Sequence, residues 1–131
     1  MHIERATVRL TAAIASAAMA LIYFLIGLGV LSVGSSTSGE SVDMFVFGFS
    51  AGIFFLLMAG LLALTDNRWV WYAATILQVL IFATYVATSA IRVPNFEVWG
   101  ITLRAIQVVL IAGLLYLAWS SPAHEAKEAT R

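Results

Sequence analysis

Four apolar stretches, each about as long as a bilayer is thick, constrain this chain more than any other feature. They run from about Leu10 to Val33, Met44 to Leu64, Trp69 to Ala90 and Val98 to Trp119. A hydrocarbon core about 30 Å thick is crossed by roughly 20 helical residues. Helix is the form in which such a segment satisfies its own backbone polar groups. The chain has 131 residues, 62% of them hydrophobic and 11% charged. A soluble domain this short leaves too much surface in water to hide four such segments. The expected fold is an all-α membrane protein. Its four transmembrane helices form one antiparallel bundle, a single domain over residues 1–131 with a polar tail at 120–131.

The first stretch ends in "SVG" ahead of Ser35, the small-x-small pattern of a signal-peptide cleavage site. Its apolar run is about twice the ~7–15 residues of a signal's core, so it reads as a retained first helix. Orientation follows from Lys and Arg in the short flanks. Arg5, Arg9, Arg68, Lys127 and Arg131 fall on one side, and only Arg92 stands in the connections of the other. Both termini are therefore expected in the cytoplasm, with the chain in the cell membrane. Trp69, Trp71 and Trp119 would mark the inner interface and Trp99 the outer one.

The connections suggest how the helices neighbour one another. "TDNR", residues 65 to 68, is a tight turn that makes helices two and three neighbours, with Thr65 or Asp66 as cap. Asn95, after Pro94, is the expected cap of helix four. The Gly/Ser-rich first connection reads as mobile. Small residues mark where helices approach closely, since lipid tails are as apolar as leucine and association rests on packing and hydrogen bonds. Gly48 and Gly52 form a GxxxG pair continued by Gly60, while Ala12, Ser16, Ala20, Tyr23 and Gly27 share one face of helix one. Packing within the chain is the expected use of this seam, and self-association is the alternative.

Polar residues inside the spans are few. Thr75, Gln78, Tyr85 and Ser89 recur along one stripe of helix three, and Arg104 and Gln107 along one face of helix four. Gln78 lies about 14 Å along its helix from Trp69, and Gln107 about 12 Å from Trp99. In a core about 30 Å thick they share nearly one depth, so they are expected to face inward as a clasp or a ligand contact. An arginine at a membrane centre costs about 2.5–3.5 kcal/mol. Arg104 lies only about 7.5 Å of helix from Trp99. Its stem can snorkel outward, and Asp43 is the preferred ion-pair partner, with Glu40 and Glu97 also near that end.

Absences narrow the functions further. Lys+Arg and Asp+Glu are 7 each, net charge zero, so no basic patch invites nucleic acid. The chain has no cysteine, and its two histidines, His2 and His124, lie in the termini. Axial haem ligation by histidine and thiolate chemistry are excluded within the spans. All seven acids lie in connections or tails. The small multidrug resistance transporters share this size and helix count, but their membrane glutamate has no counterpart in helix one here, and the resemblance ends there. No phosphate loop, HExxH or GxSxG is present. No cofactor, metal or catalytic residue is expected. Asp43 and Asp66 read as helix caps. The leading expectation is an accessory or assembly subunit of a membrane complex, with lipid, other subunits or a second copy as partners. The alternative is a protein that binds or transports an amphiphile (lipid, quinone or small anion), with Arg104, Gln107, Gln78, Tyr85 and Tyr23 lining a pocket.

Overall fold

In the computed structural model, residues 4–31, 35–36, 43–89, 92–93, 98–120 and 130 are described. The elements in order are α1 (Arg5–Gly27), β1 (Ser35–Ser36), α2 (Met44–Leu64), α3 (Arg68–Ser89), β2 (Arg92–Val93) and α4 (Val98–Trp119). All four helices are long and apolar enough to cross a membrane, as in a multi-pass membrane protein. Their outward faces carry large apolar residues such as Ile14, Leu57, Ile76 and Val108, as a lipid solvent requires.

Counting apolar residues misplaces the ends of α1. The helix starts at Arg5 rather than Leu10 and stops at Gly27 rather than Val33. It stops because Gly29 adopts φ 74°, a left-handed conformation open to glycine. The amide of Gly29 then donates to the carbonyl of Ile26, and that of Val30 to Leu25, both at 3.0 Å. This pair of bonds closes a helix C-terminus whatever the hydropathy of the residues that follow. The next connection meets the third one: β1 pairs antiparallel with β2, Ser35 opposite Val93 and Ser36 opposite Arg92. Asn95, Glu40, Glu97, most of the tail and the side chain of Ser89 lie outside the described residues.

Packing centres on α1, which lies along α2 and also against α4; α4 in turn packs on α3. The approach of α1 to α2 is closest at two glycines. A Cβ on Gly48 would lie 2.5 Å from the backbone of Gly27, and one on Gly52 2.7 Å from the Phe24 ring. Nothing lies near Gly60, which stands outside this contact. Further along, the Ser16 hydroxyl donates to the carbonyl of Phe55 at 2.7 Å. The seam of small residues is thus occupied within the chain. By contrast α2 and α3, although joined by a three-residue turn, make few close backbone approaches and meet through side chains such as Gln78 and Met58. Turn length makes two helices consecutive; it does not make them pack.

One end of the bundle is tied by two arginines. Arg5 Nε donates to Asp66 Oδ2 at 3.1 Å, in the turn between α2 and α3. Its Nη1 donates to the carbonyls of Leu117 (2.7 Å) and Ser120 (2.8 Å) at the end of α4. Arg9 Nη2 donates to the carbonyl of Ala63 at 3.0 Å. Carbonyls in the last turn of a helix lack internal partners, and arginine supplies them. Because Asp66 is engaged here, Asn67 caps α3 instead, its Oδ1 accepting from the Trp69 amide at 3.0 Å. Trp71 is fully buried, and its Nε1 donates to Asp66 Oδ1 at 3.4 Å.

Two outcomes follow. Gly48→Ala forces backbone against backbone and is expected to destabilise the protein by about 1–3 kcal/mol. Gly60→Ala meets open space and is expected to be neutral or slightly stabilising. Thermal unfolding in detergent compares them, and equal effects would contradict the packing described. The hydrogen bonds from Arg5 hold the Asp66 carboxyl below its ordinary 3.8, against a smaller opposing effect of burial. A lowered native pKa means that the unfolded chain takes up the proton first as pH falls. The advantage of native protein over Asp66→Asn should therefore be constant above about pH 5 and vanish below the lowered value. Melting temperatures of both across that range test this.

Candidate functional site

The site is built from all four helices around Arg104. This residue is 8% exposed, so its stem does not carry the guanidinium outward to the surface. Instead Nη2 donates to the Tyr23 hydroxyl of α1 at 2.8 Å. The guanidinium carbon lies 4.6 Å from the centre of the Tyr85 ring of α3. Tyr85 reaches this position because α4 carries Gly100, where a methyl group would overlap the phenol. Tyr23 is fixed in turn by stacking on Phe55 of α2, with ring centres 5.4 Å apart and planes at 7°.

These contacts do not exhaust the guanidinium's needs. Its Nε and Nη1 are buried without a hydrogen-bond partner among the described residues. A desolvated cation over an aromatic face gains about 2 kcal/mol, and a charged hydrogen bond about 1.5–3 kcal/mol. Each unpartnered buried donor loses about 1–3 kcal/mol, more when charged. The arginine is held in place but left short of acceptors.

Asp43 does not supply them. Its Oδ1 accepts from the amides of Phe45 (3.0 Å) and Val46 (3.3 Å), capping α2. Among the described residues Arg104 makes no ion pair; the carboxylate of Asp66 serves Arg5 and Arg9 at the opposite end. A cap needs only the backbone beside it, and this local demand takes the carboxylate that the sequence offered to Arg104.

One turn further along α4, Gln107 Nε2 donates to Gln78 Oε1 at 2.6 Å and to the Gln78 carbonyl at 2.9 Å. Gln78 Nε2 reaches Met58 Sδ of α2 at 3.2 Å. Both glutamines are fully buried. They close the bundle and do not line the cavity beside Arg104, so the five polar residues singled out in the sequence divide into a clasp and a site. Thr75 belongs to neither: its hydroxyl donates to the Trp71 carbonyl one turn back.

On the open side of Arg104 lies a cavity of about 440 Å³, within the usual range of small-molecule sites. Tyr23, Tyr85 and Arg104 form its polar part. Phe47, Ala51 and Phe55 of α2 face Leu80, Ile81 and Thr84 of α3 across it. Phe47, Leu80 and Thr84 are themselves exposed, so the cavity opens where α2 and α3 part. Sequence reasoning missed the wall from α2, because an apolar residue facing a cleft reads like one facing lipid. Gly100, one turn before Arg104, was the signal that something bulky comes close there. Among the described residues no group of His, Asp and Glu could hold a metal.

No protein-family model, curated protein or solved structure matches this chain.

The glutamine pair yields a direct test. Gln78→Leu and Gln107→Leu should each destabilise the protein, and the double variant should be less damaging than their sum, with a coupling of about 0.6–2 kcal/mol. Unfolding free energies in detergent for the four proteins measure this, and strict additivity would contradict the bond.

Proposed function

We propose that this chain is a multi-pass protein of the cell membrane that binds an amphiphile in the cleft between α2 and α3. Its head meets Arg104 and its tail lies along the apolar walls. The observation that carries this reading is the buried, under-bonded guanidinium on the wall of a cavity that opens sideways. Ionisable groups inside membranes mark function by default, and a convergent polar group in an apolar pocket is the ordinary form of a ligand site. Binding or carriage is proposed rather than catalysis, since among the described residues no nucleophile with an adjacent base stands at the cavity.

The reading includes an antiparallel bundle with both termini cytoplasmic. In its favour, Arg5 joins the start of α1 to the turn after α2 and the end of α4. At the other end the first connection pairs with the third. The excess of Lys and Arg on the first of these sides supports its cytoplasmic placement. An accessory role in a larger complex gains no separate support, because the exposed apolar faces are what lipid alone demands.

Native mass spectrometry of the chain released from nanodiscs tests the cleft. The native chain should carry a bound amphiphile. Ala51→Trp, which projects a ring into the cavity, should cut its occupancy about tenfold or more, for a loss above about 1.4 kcal/mol. Helical content should stay unchanged. A native chain without amphiphile, or a folded Ala51→Trp that retains it, contradicts the proposal.

A further inference from the structure

Among its described lining residues the cleft offers a cation and no anion. Among the described residues no carboxylate reaches Arg104, whose contacts are the Tyr23 hydroxyl and the Tyr85 ring. Apart from Arg104 and the hydroxyl-bearing Tyr23, Thr84 and Tyr85, the cavity wall is hydrocarbon and aromatic. A buried charge is tolerated when it is paired and hydrogen-bonded, and none of the described residues supplies a counter-charge here.

The apolar walls cannot choose the occupant. An alkyl chain entering the cleft exchanges one hydrocarbon environment for another, because lipid tails are as apolar as the leucines that replace them. Preference for one amphiphile over the surrounding lipid must come from its head. A neutral carbonyl head, such as a quinone's, accepts a hydrogen bond but leaves the charge uncompensated. A phospholipid brings a phosphodiester together with ester oxygens and a second chain. Those oxygens would lie mostly against phenylalanine, leucine and isoleucine, where the hydroxyls of Tyr23, Thr84 and Tyr85 are too few to meet them all. A carboxylate on a single chain carries one charge, needs no further polar partners and matches a guanidinium edge in geometry.

Building on the amphiphile reading above, we propose that the occupant is a single-chain monocarboxylate, a free fatty acid. Its carboxylate pairs with the guanidinium of Arg104, which lines the cavity, and its chain lies between α2 and α3. Tyr23 and Tyr85 hold the guanidinium in place from α1 and α3, so the head is recognised by a cation already oriented before the ligand arrives.

Palmitate, hexadecanol and phosphatidylglycerol compared on the chain in phosphatidylcholine nanodiscs provide the test. Palmitate should bind about tenfold or more tightly than hexadecanol, the scale of one charged hydrogen-bonded contact. That advantage should disappear in Arg104→Leu, shrink in Arg104→Lys, and persist in Arg9→Gln, which removes a charge at the other end. The carboxyl-carbon NMR signal of bound palmitate should titrate at lower pH than that of palmitate in empty nanodiscs, since a nearby cation favours the ionised form. Equal binding of palmitate and hexadecanol overturns the carboxylate assignment and leaves the cleft standing. Failure of both to bind removes the cleft reading with it. Phosphatidylglycerol displacing palmitate at lower concentration overturns the single-chain assignment in favour of a phospholipid. If Arg104→Leu does not fold, the comparison of ligands on the native chain decides alone.

Discussion

A helix in hydrocarbon gains nothing by hiding a leucine from lipid, and the rest of this structure depends on that constraint. Association must come from close backbone approach and from polar bonds between helices. The chain uses both sparingly. Gly27 and Gly48 let α1 and α2 meet at backbone distance, Ser16 bonds across the same pair, and Gln78 and Gln107 join α3 to α4. At the end of the bundle where the α2–α3 turn lies, Arg5 gathers three segments at once. Each contact is modest, so the bundle is specified by where the few of them fall.

Their distribution also explains the cleft. The contacts run from α2 to α1, from α1 to α4 and from α4 to α3, and no comparable set closes α3 back onto α2. Asp66 ties the shared turn to Trp71, and the Gln78–Met58 contact joins the two helices midway along α3. Beyond it they part around the cavity that Arg104 faces. The same scarcity of interhelical bonds that leaves the bundle open leaves the guanidinium without its full set of acceptors. The unfilled volume borders the residue whose hydrogen bonding is incomplete, and the proposed binding role rests on that adjacency.

Much of the frame was legible in the sequence, because span length is dictated by bilayer thickness and needs no tertiary information. That Gln78 and Gln107 lie at one level was legible for a related reason: rise per residue is constant, and tryptophans give a reference plane. What failed was anything decided by competition. Asp43 was equally placed to cap α2 or to reach Arg104, and the cap, requiring only its own backbone, took it. The end of α1 was set by the conformation of Gly29, to which hydropathy is blind. The α2 wall of the cavity was illegible because Phe47 and Ala51 carry no mark separating a cleft face from a lipid face. Of the site itself, Arg104, Tyr23 and Tyr85 stood out as polar groups in apolar helices, while their mutual contacts depended on a helix order that turn lengths do not encode.

The account rests on a chain that crosses the bilayer four times and brings its two ends to one side. The absence of native cysteine makes the direct measurement simple: single cysteines placed at Glu4, Asn67, Ser120, Ser35 and Arg92, each probed in sealed right-side-out vesicles with a membrane-impermeant thiol reagent. The proposed topology requires positions 35 and 92 to react from outside and positions 4, 67 and 120 to react only after the vesicles are opened. If position 4 and position 120 label from opposite sides, or if position 67 labels together with position 35, the bundle, its cleft and the role given to Arg104 fall together.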